Sequence, residues 1–463
     1  MFSFTKFRPL CSSFLQKRAF CSSLPQPNER PHVSVTELPN GLRVVTDQSF
    51  SFMSAIAIYV AAGPRHEHSC NNGITHLISH LAFKGNKSQS QESLEQYCLE
   101  NKIRLDVKTY RDMIAFRGFF INDDLAYEVF DMLAKIVNDF KFNKEAFDRE
   151  KYNMCVEAVD YEYNPRKLVF DYLHKTAFQC TSMGQTIIGP TANFQKFNEE
   201  MVSEFTARQF QPNNMVVAGT GNISHQALEC YASKAFHKDS DECQPSNYGS
   251  RYVSSEIRYR DDSMPYVHVA VAVEAPCFSD EHYFTMLIAK NLMGSWHRSQ
   301  GGGINNRYLL AQAGACDDLC YYYEPFYLVY RDVGLWGVYY VADPIAADDL
   351  MFNIHKALMN LNVTITKHDI QLGTTLAVKE LLKREDNVYS RIHDIAKQVM
   401  YSGKRKRLGD YRQVFQRLDK PSYFKEVVDK YIYDRDPVVA AVGPTEALMD
   451  LVRIRAGFYW IRF

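Results

Sequence analysis

Two histidines four residues apart are the part of this sequence best suited to chemistry. His76 and His80 lie in the stretch Asn72 to Gly85, which has glycines near both ends. If the stretch is helical, residues i and i+4 share one face, so the two imidazoles lie on adjacent turns. Two such nitrogens can hold a divalent metal, and zinc usually takes a third protein ligand. The spacing alone is a weak signal, because helix-face histidines are more often ordinary hydrogen-bonding side chains.

Two carboxylates further along the chain are of a type that zinc accepts. Glu157 lies 77 residues after His80, and Glu150 lies seven residues before Glu157. Helical periodicity from Lys144 to Glu162 predicts that both carboxylates lie on one face of one helix, two turns apart. The spacing alone leaves open which of them completes a site.

The histidine stretch is similar to the His-x-x-Glu-His motif of the inverted zincin peptidases. More of the chain resembles the family that contains the beta subunit of the mitochondrial processing peptidase and the core 1 subunit of the cytochrome bc1 complex. The resemblance covers nearly the whole sequence. Its most specific points are Ala82-Phe83-Lys84-Gly85, Val169 to His174, Gly301-Gly302-Gly303, Asp332 to Gly337, and Arg453 to Phe463.

The resemblance implies that His76, His80 and Glu157 hold one zinc ion, with Glu150 as an accessory carboxylate. One position departs from the family pattern. The family has a glutamate between the histidines, where it acts as general base, and this chain has Ser79. A hydroxyl has no useful basicity near pH 7, and the loss of a positioned base typically costs ~10²–10⁴ in rate. We therefore expect the metal ligands to be kept and the hydrolytic chemistry to be impaired.

A second departure lies in the segment Leu105-Asp106-Val107-Lys108-Thr109. Active members of the family carry Leu-Asn-Ala-Tyr there, on an edge strand that pairs with the substrate backbone by strand addition. Asp106, Val107 and Lys108 replace the Asn, Ala and Tyr. The resemblance therefore predicts a degenerate substrate-binding strand.

The order of predicted elements repeats once along the chain. The tripeptide Tyr-Arg-Asp occurs at residues 110–112 and again 220 residues later at 330–332. An apolar strand at 216–221 recurs 222 residues later at 438–443. Near-equal offsets at two distant points predict a duplicated domain of about 220 residues. The second copy lacks a His-x-x-x-His pair, so only the first half is expected to hold a metal.

The predicted fold class is α+β. Hairpin signals such as Pro39-Asn40-Gly41 require antiparallel strand pairs, while strands and helices alternate elsewhere. We predict two homologous domains, each a mixed sheet with helices packed on one face. They are predicted at 33–237, which carries the histidine helix, and at 256–463, with a polar linker at 238–255. The resemblance implies that the two halves face each other like a clam shell.

Residues 1–28 contain four basic side chains and no acidic one. This composition is typical of a mitochondrial transit peptide. The segment Arg18-Ala19-Phe20 resembles a matrix cleavage site with arginine two or three residues before the cut. We expect Arg18 to direct cleavage near Phe20, and the mature protein to lie on the matrix side of the mitochondrial inner membrane.

The overall composition is that of a globular protein. The 463 residues are 46% hydrophobic and 23% charged, with a net charge of −1 that offers no field for nucleic acid. Eleven scattered cysteines are expected to be reduced. The basic run at 404–407 is expected to be a solvated loop. No apolar run reaches the ~18 residues that a bilayer requires, so we expect membrane association only through partners.

Three possibilities remain open, one of which is a tissue-restricted or diverged paralogue with neither of the following two roles intact. The resemblance and the serine at position 79 favour a core-1-like structural subunit of the cytochrome bc1 complex, paired with a homologous alpha-like or core-2-like subunit and with other bc1 subunits. The alternative is a beta subunit of the mitochondrial processing peptidase, a zinc endopeptidase that binds and cleaves the presequence peptides of imported proteins.

Overall fold

The structure is a computed structural model that describes residues 33–459 except for 50, 86–89, 139–143, 237–248 and 419. The predicted leader at 1–28, with Arg18 and Phe20, lies outside the described residues, and so does most of the predicted linker.

The described strands form two six-stranded mixed sheets. The first sheet contains β1 (Val33–Glu37), β2 (Arg43–Gln48), β3 (Ser54–Val60), β4 (Arg104–Thr109), β5 (Ile114–Phe120) and β6 (Met215–Gly221). The second contains β7 (Glu256–Arg260), β8 (Val267–Ala275), β9 (Trp296–His297), β10 (Tyr322–Val329), β11 (Gly334–Ala342) and β12 (Val438–Gly443). One neighbouring pair in each sheet is parallel, β2 with β6 and β7 with β12, and the other pairs are antiparallel.

Helices flank both sheets. Those before the second sheet are α1 (Ile74–Leu81), α2 (Gln91–Asn101), α3 (Ala126–Asn138), α4 (Lys144–Glu162), α5 (Pro165–Ala177), α6 (Thr191–Phe194), α7 (Glu199–Gln209) and α8 (His225–Ala235). The helices that come after the first strand of the second sheet are α9 (Tyr283–Met293), α10 (Leu309–Cys316), α11 (Ala347–Val363), α12 (Lys367–Asp386), α13 (Val388–Ser402), α14 (Leu408–Arg417), α15 (Pro421–Tyr431) and α16 (Leu451–Gly457). None of the described helices combines the length and the apolar character that a membrane span requires.

The predicted duplication is visible in the strand orders. Without β1 and β9, the sheets run β2-β6-β3-β5-β4 and β7-β12-β8-β11-β10, which is the same topology twice. Both Tyr-Arg-Asp tripeptides form the turn between the last two strands of this order. The amide of Tyr110 donates to the carbonyl of Met113 at 2.8 Å, and Tyr330 donates to Val333 at 2.9 Å. The α+β fold with two homologous halves is therefore confirmed. The domain bounds at 237 and 256 stay a prediction.

Each half contributes one helix to the sheet of the other half. Helix α5 packs on β8 and β12, where Val169 and Leu173 are fully buried. Helix α13 packs on β3 and β6, where Ile392 and Ile395 are fully buried. The sequence predicted helices on one face of each sheet, and this exchange covers the opposite face as well. The apolar clusters on these faces therefore contain residues of both halves, whereas the larger cluster on the other face of each sheet comes from one half alone.

The basic run at 404–407 is not solvated throughout, contrary to expectation. The side chain of Arg405 is only 1% exposed and forms ion pairs with Asp394, with Glu385 at 3.3 Å and with Asp47 at 3.5 Å. Arg407 pairs with Asp47 at 2.6 Å. Three carboxylates drawn from both halves converge on this loop, and their charge compensates the burial of a guanidinium. The two lysines of the run stay exposed.

Candidate metal centre

Helix α1 carries both histidines, and a buried carboxylate fixes its start. Gly73 precedes the helix with φ +100°, and a Cβ there would lie 2.6 Å from the carbonyl oxygen of Ile188. Glu67 accepts hydrogen bonds from the backbone amides of Gly73 at 2.9 Å and Thr75 at 2.8 Å, and from the side chain of Asn72 at 2.8 Å. Burial raises the pKa of Glu67, against the effect of these hydrogen bonds. The carboxylate of Glu67 thus caps the start of α1, which Gly73 cannot do because it has no side chain.

Helix α4 packs on α1 and brings Glu157 to the two histidines. The Nε2 atoms of His76 and His80 are 3.3 Å apart, and they lie 3.1 and 3.0 Å from Oε2 of Glu157. Hydrogen bonds from the two imidazoles hold the pKa of Glu157 far below its usual range. All three possible ligand atoms lie within 4.8 Å of one another. Among the described residues, no other three His, Cys, Asp or Glu side chains come this close together.

Glu150 lies behind this cluster and contacts the other ring nitrogen of His80. Its Oε2 atom is 3.2 Å from Nδ1 of His80 and accepts a 3.1 Å hydrogen bond from Asn153. Its Oε1 atom is 3.2 Å from Nζ of Lys84, and the side chain is 3% exposed. Burial raises the pKa of Glu150, but these three neighbours outweigh it and lower the pKa overall. Burial also lowers the pKa of His80, and hydrogen bonds to Glu157 and Glu150 reverse this into a net rise.

The cluster fits a zinc ion by the chemistry of its donors. Two imidazole nitrogens and one carboxylate oxygen form a ligand set of catalytic zinc sites, in which a fourth position stays open. A ligating histidine normally donates its second ring N–H to a carboxylate, as His80 does to Glu150. His76, His80 and Glu157 would therefore hold the ion, and zinc binding stays a prediction.

Ser79 lies between the histidines but is bonded to its own helix. Its Oγ donates to the backbone carbonyl of His76 at 2.6 Å, a bond between neighbouring turns that serine commonly makes in helices. The side chain is half-buried. A hydroxyl in this position adds neither a charge nor a proton acceptor of useful strength to the cluster.

The strand that carries Asp106, Val107 and Lys108 is an edge strand, as predicted, since β4 pairs only with β5 among the described strands. Its side chains alternate between the two faces. Val107 packs into the apolar core beneath α1. Asp106 and Lys108 lie on the opposite face, toward α13, where Asp106 pairs with Arg117. Two of the three departures are thus on the sheet face away from the metal cluster, and a role in substrate binding stays a prediction.

Two residues that organise the centre were missed by the sequence analysis. Glu67 lies six residues before Gly73 and outside any local capping pattern, so the sequence contained no signal for its role. Lys84 follows His80 by four residues and lies just beyond the end of α1, and that short spacing could have identified it as a partner of the accessory carboxylate.

Comparisons with known proteins agree over most of the chain. Residues 43–191 match the family described as Insulinase (Peptidase family M16), and residues 196–373 match the Peptidase M16 inactive domain. The beta subunit of the mitochondrial-processing peptidase of Bos taurus is 33% identical over 439 residues, which cover 93% of this chain and 88% of that protein. Cytochrome b-c1 complex subunit 1 of Mus musculus is 31% identical over 437 residues, which cover 94% of this chain and 91% of that protein.

A solved structure shares the fold. A chain of complex III from Candida albicans, with Inz-5 bound, superposes with a TM-score of 0.82 over 92% of this chain and 100% of that chain, at 24% sequence identity.

Proposed function

The chain belongs to the insulinase family of peptidases, family M16, and we propose that it is a core-1-like structural subunit of the mitochondrial cytochrome bc1 complex with impaired peptidase activity. Its relatives include both processing-peptidase beta subunits and bc1 subunits at nearly equal identity. Identity to relatives therefore favours neither role, and the residues of the site must decide.

The observation that carries the proposal is the environment of Ser79. The His-x-x-Glu-His motif has its glutamate at this position, and here the serine hydroxyl donates to the carbonyl of His76. Peptide hydrolysis needs a group that takes a proton from the attacking water and returns it to the leaving amine. Glu150 is the nearest alternative carboxylate, but His80 and Lys84 already engage both of its oxygens. Those contacts lower its pKa and weaken it as a base.

The proposal includes a retained metal site. Zinc, when bound, would supply Lewis acidity that activates water and polarises a peptide carbonyl. His76, His80 and Glu157 provide its ligands, and Glu150 orients His80. Glu67 holds the first turn of α1, so the histidines keep their spacing. Without a positioned base, such a site would contribute to structure more than to turnover.

A beta subunit of the mitochondrial processing peptidase is the second candidate. It is favoured by the three ligand atoms, which lie within 4.8 Å of one another although a purely structural subunit has no need of them. In that role the chain would pair with a homologous alpha-like subunit and bind presequence peptides. In either role it would lie on the matrix side of the inner membrane and reach the membrane only through its partners.

Native purification from mitochondria separates the two candidates. Co-purification with a core-2-like relative and other bc1 subunits is the expected result. A heterodimer with an alpha-like subunit, free of bc1 subunits, would instead support the processing peptidase.

A cleavage assay tests the impaired chemistry directly. The initial rate on a model presequence peptide should be negligible for the wild-type complex and should rise with Ser79→Glu, because the new carboxylate can accept the proton. Ser93→Glu, on the exposed face of α2, is the matched control and should change nothing. Strong wild-type turnover that a chelator abolishes and that Ser79→Glu leaves unchanged would show that another group is the base.

A further inference from the structure

A cavity of about 600 Å³ lies between the two halves of the chain, on the face of the first sheet that points away from the metal cluster. Its volume is within the range of small-molecule sites. One wall is the face of β4 that carries Arg104 and Lys108. The opposite wall is α13, which contributes His393 and Lys397.

Three cations that line this cavity form no ion pair among the described residues, although the charges of Asp112 and Asp394 act on one of them, Lys397, and oppose the lowering of its pKa by burial. They are Arg104, Lys108 and Lys397. Each lies near an aromatic ring, at 5.4 Å from the centroid of Tyr389, 5.3 Å from Tyr110 and 5.5 Å from Tyr401 respectively. Contacts with aromatic faces do not neutralise the charges of Arg104 and Lys108, both of which are exposed.

The two acidic residues of the cavity are already engaged. Asp106 pairs with Arg117, and Asp394 pairs with the buried Arg405. Burial is the largest cause that lowers the pKa of His393 to about 3, and the charges of Lys397, Arg117 and Lys108 add to it.

Buried hydrogen-bonding atoms beside the cavity also have no partner within the described part of the chain. They are Nε of Arg117, a residue only 8% exposed, and Nδ1 of His393. Buried polar atoms in native proteins are almost always hydrogen-bonded. Nε–H of Arg117 can only donate, and Nδ1 of His393 donates in one of the two neutral tautomers, so both atoms can serve an acceptor bound in the cavity.

We propose that this cavity binds a small organic anion whose carboxylate or phosphate oxygens accept hydrogen bonds from Arg104, Lys108 and Lys397. Charged donors make the strongest hydrogen bonds to such oxygens, and the neighbouring aromatic rings provide apolar surface for the carbon skeleton. The site is separate from the metal cluster and does not rest on the proposed function, although Lys108 also lies on the strand that the resemblance assigns to substrate binding. Because its walls come from both halves, a bound anion would hold the halves together and stabilise the fold.

Calorimetric titration of the natively purified protein, together with any subunit that co-purifies, tests this site. The probes are citrate and pyrophosphate, each compared with sodium chloride at equal ionic strength. Saturable binding of either probe, with a rise in melting temperature, is the expected result. Citrate alone would identify a carboxylate ligand and pyrophosphate alone a phosphate ligand, while binding of both would support a site for either oxyanion. Binding of neither probe overturns the proposal.

Substitutions show whether the probes bind in this cavity or are attracted by surface charge in general. Lys108→Gln/Lys397→Gln should weaken probe binding by at least about tenfold, because two charged donors are lost. Lys234→Gln/Lys356→Gln, which removes two exposed cations elsewhere, is the matched control and should bind as the wild type does. Arg104→Gln alone should weaken binding less, and it replaces the double variant if that one does not fold. Equal binding by wild type, control and every cavity variant would also overturn the proposal.

Discussion

Glu150 touches His80 through the ring nitrogen that points away from the other two possible ligands. Removing its charge by Glu150→Gln should weaken zinc binding by about 10–100-fold, because the partner that orients a ligating histidine is lost. The substitution also leaves Lys84 without its buried counter-charge. Competition against a chromophoric chelator measures the affinity.

The control for this substitution lies on the same helix. Asp148→Asn removes an exposed carboxylate of α4 that faces away from the histidines, and it should leave zinc affinity unchanged. Equal affinities for wild type, Glu150→Gln and Asp148→Asn would show that Glu150 does not act through His80.

The residues of the cluster were predictable to different degrees. His76 and His80 follow from helical spacing, and the resemblance picked out Glu157 and Glu150, all of which the structure brings together. Glu67 was not predictable, because its contacts depend on how a loop folds back over the start of α1. Local sequence patterns describe neighbours along the chain and contain no information on such a return.

At the scale of secondary structure, the first turn of α1 depends on a side chain outside the helix. Glu67→Ala should lower the free energy of unfolding by about 2–4 kcal/mol, since the buried amides of Gly73 and Thr75 would lose their acceptor. Urea unfolding followed by tryptophan fluorescence and circular dichroism measures the loss.

An exposed glutamate in the first turn of another helix is the matched control. Glu92→Ala on α2 should cost no more than about 0.5 kcal/mol. If Glu67→Ala is as mild as Glu92→Ala, the cap contributes little and the packing of α1 alone keeps the histidines in place.

Helices and strands themselves were largely predictable. The helix predicted from Lys144 to Glu162 is α4 with the same bounds, and Ser90 caps α2 as expected. The exchange of α5 and α13 was not predictable. Periodicity shows that a helix has an apolar face, and it does not show which sheet that face will cover.

At the scale of the whole molecule, each exchanged helix places a histidine against the tyrosine of a repeated Tyr-Arg-Asp turn, but the two contacts differ. His174 on α5 is hydrogen-bonded to the hydroxyl of Tyr330 at 2.7 Å. His393 on α13 stacks on Tyr110 with ring centroids 4.5 Å apart. The duplication therefore extends from strand order to the placement of one histidine–tyrosine pair between the halves, whereas the contact is a hydrogen bond in one pair and a ring stack in the other.

The predicted mitochondrial targeting of the protein can be tested at its amino terminus. We expect cleavage directed by Arg18, which leaves a mature chain that begins near Phe20, because the leader is basic and lacks acidic residues. Arg18→Ala should retain the longer chain, whereas Arg8→Ala should be processed normally. N-terminal sequencing of protein from mitochondria that finds residues 1–18 intact would refute the prediction.

The ion pairs of Arg405 provide a test of how far the two halves depend on each other. Arg405→Met should lower the free energy of unfolding by about 3 kcal/mol, because removing one member of a buried ion cluster leaves the others uncompensated. Asp47 from the first half and Asp394 from the second would then repel each other, and among the described residues Arg407 alone would still pair with Asp47.

The neighbouring Lys404→Met is the matched control, since it removes an exposed cation from the same loop and should change stability by less than about 0.5 kcal/mol. The midpoint of urea unfolding measures both variants. If the apolar clusters that α5 and α13 form with the opposite sheets couple the two halves, Arg405→Met should shift one common transition. A transition that splits into two, with only one of them shifted, would mean that the halves unfold independently and that the inter-half ion pairs stabilise only the loop that carries them.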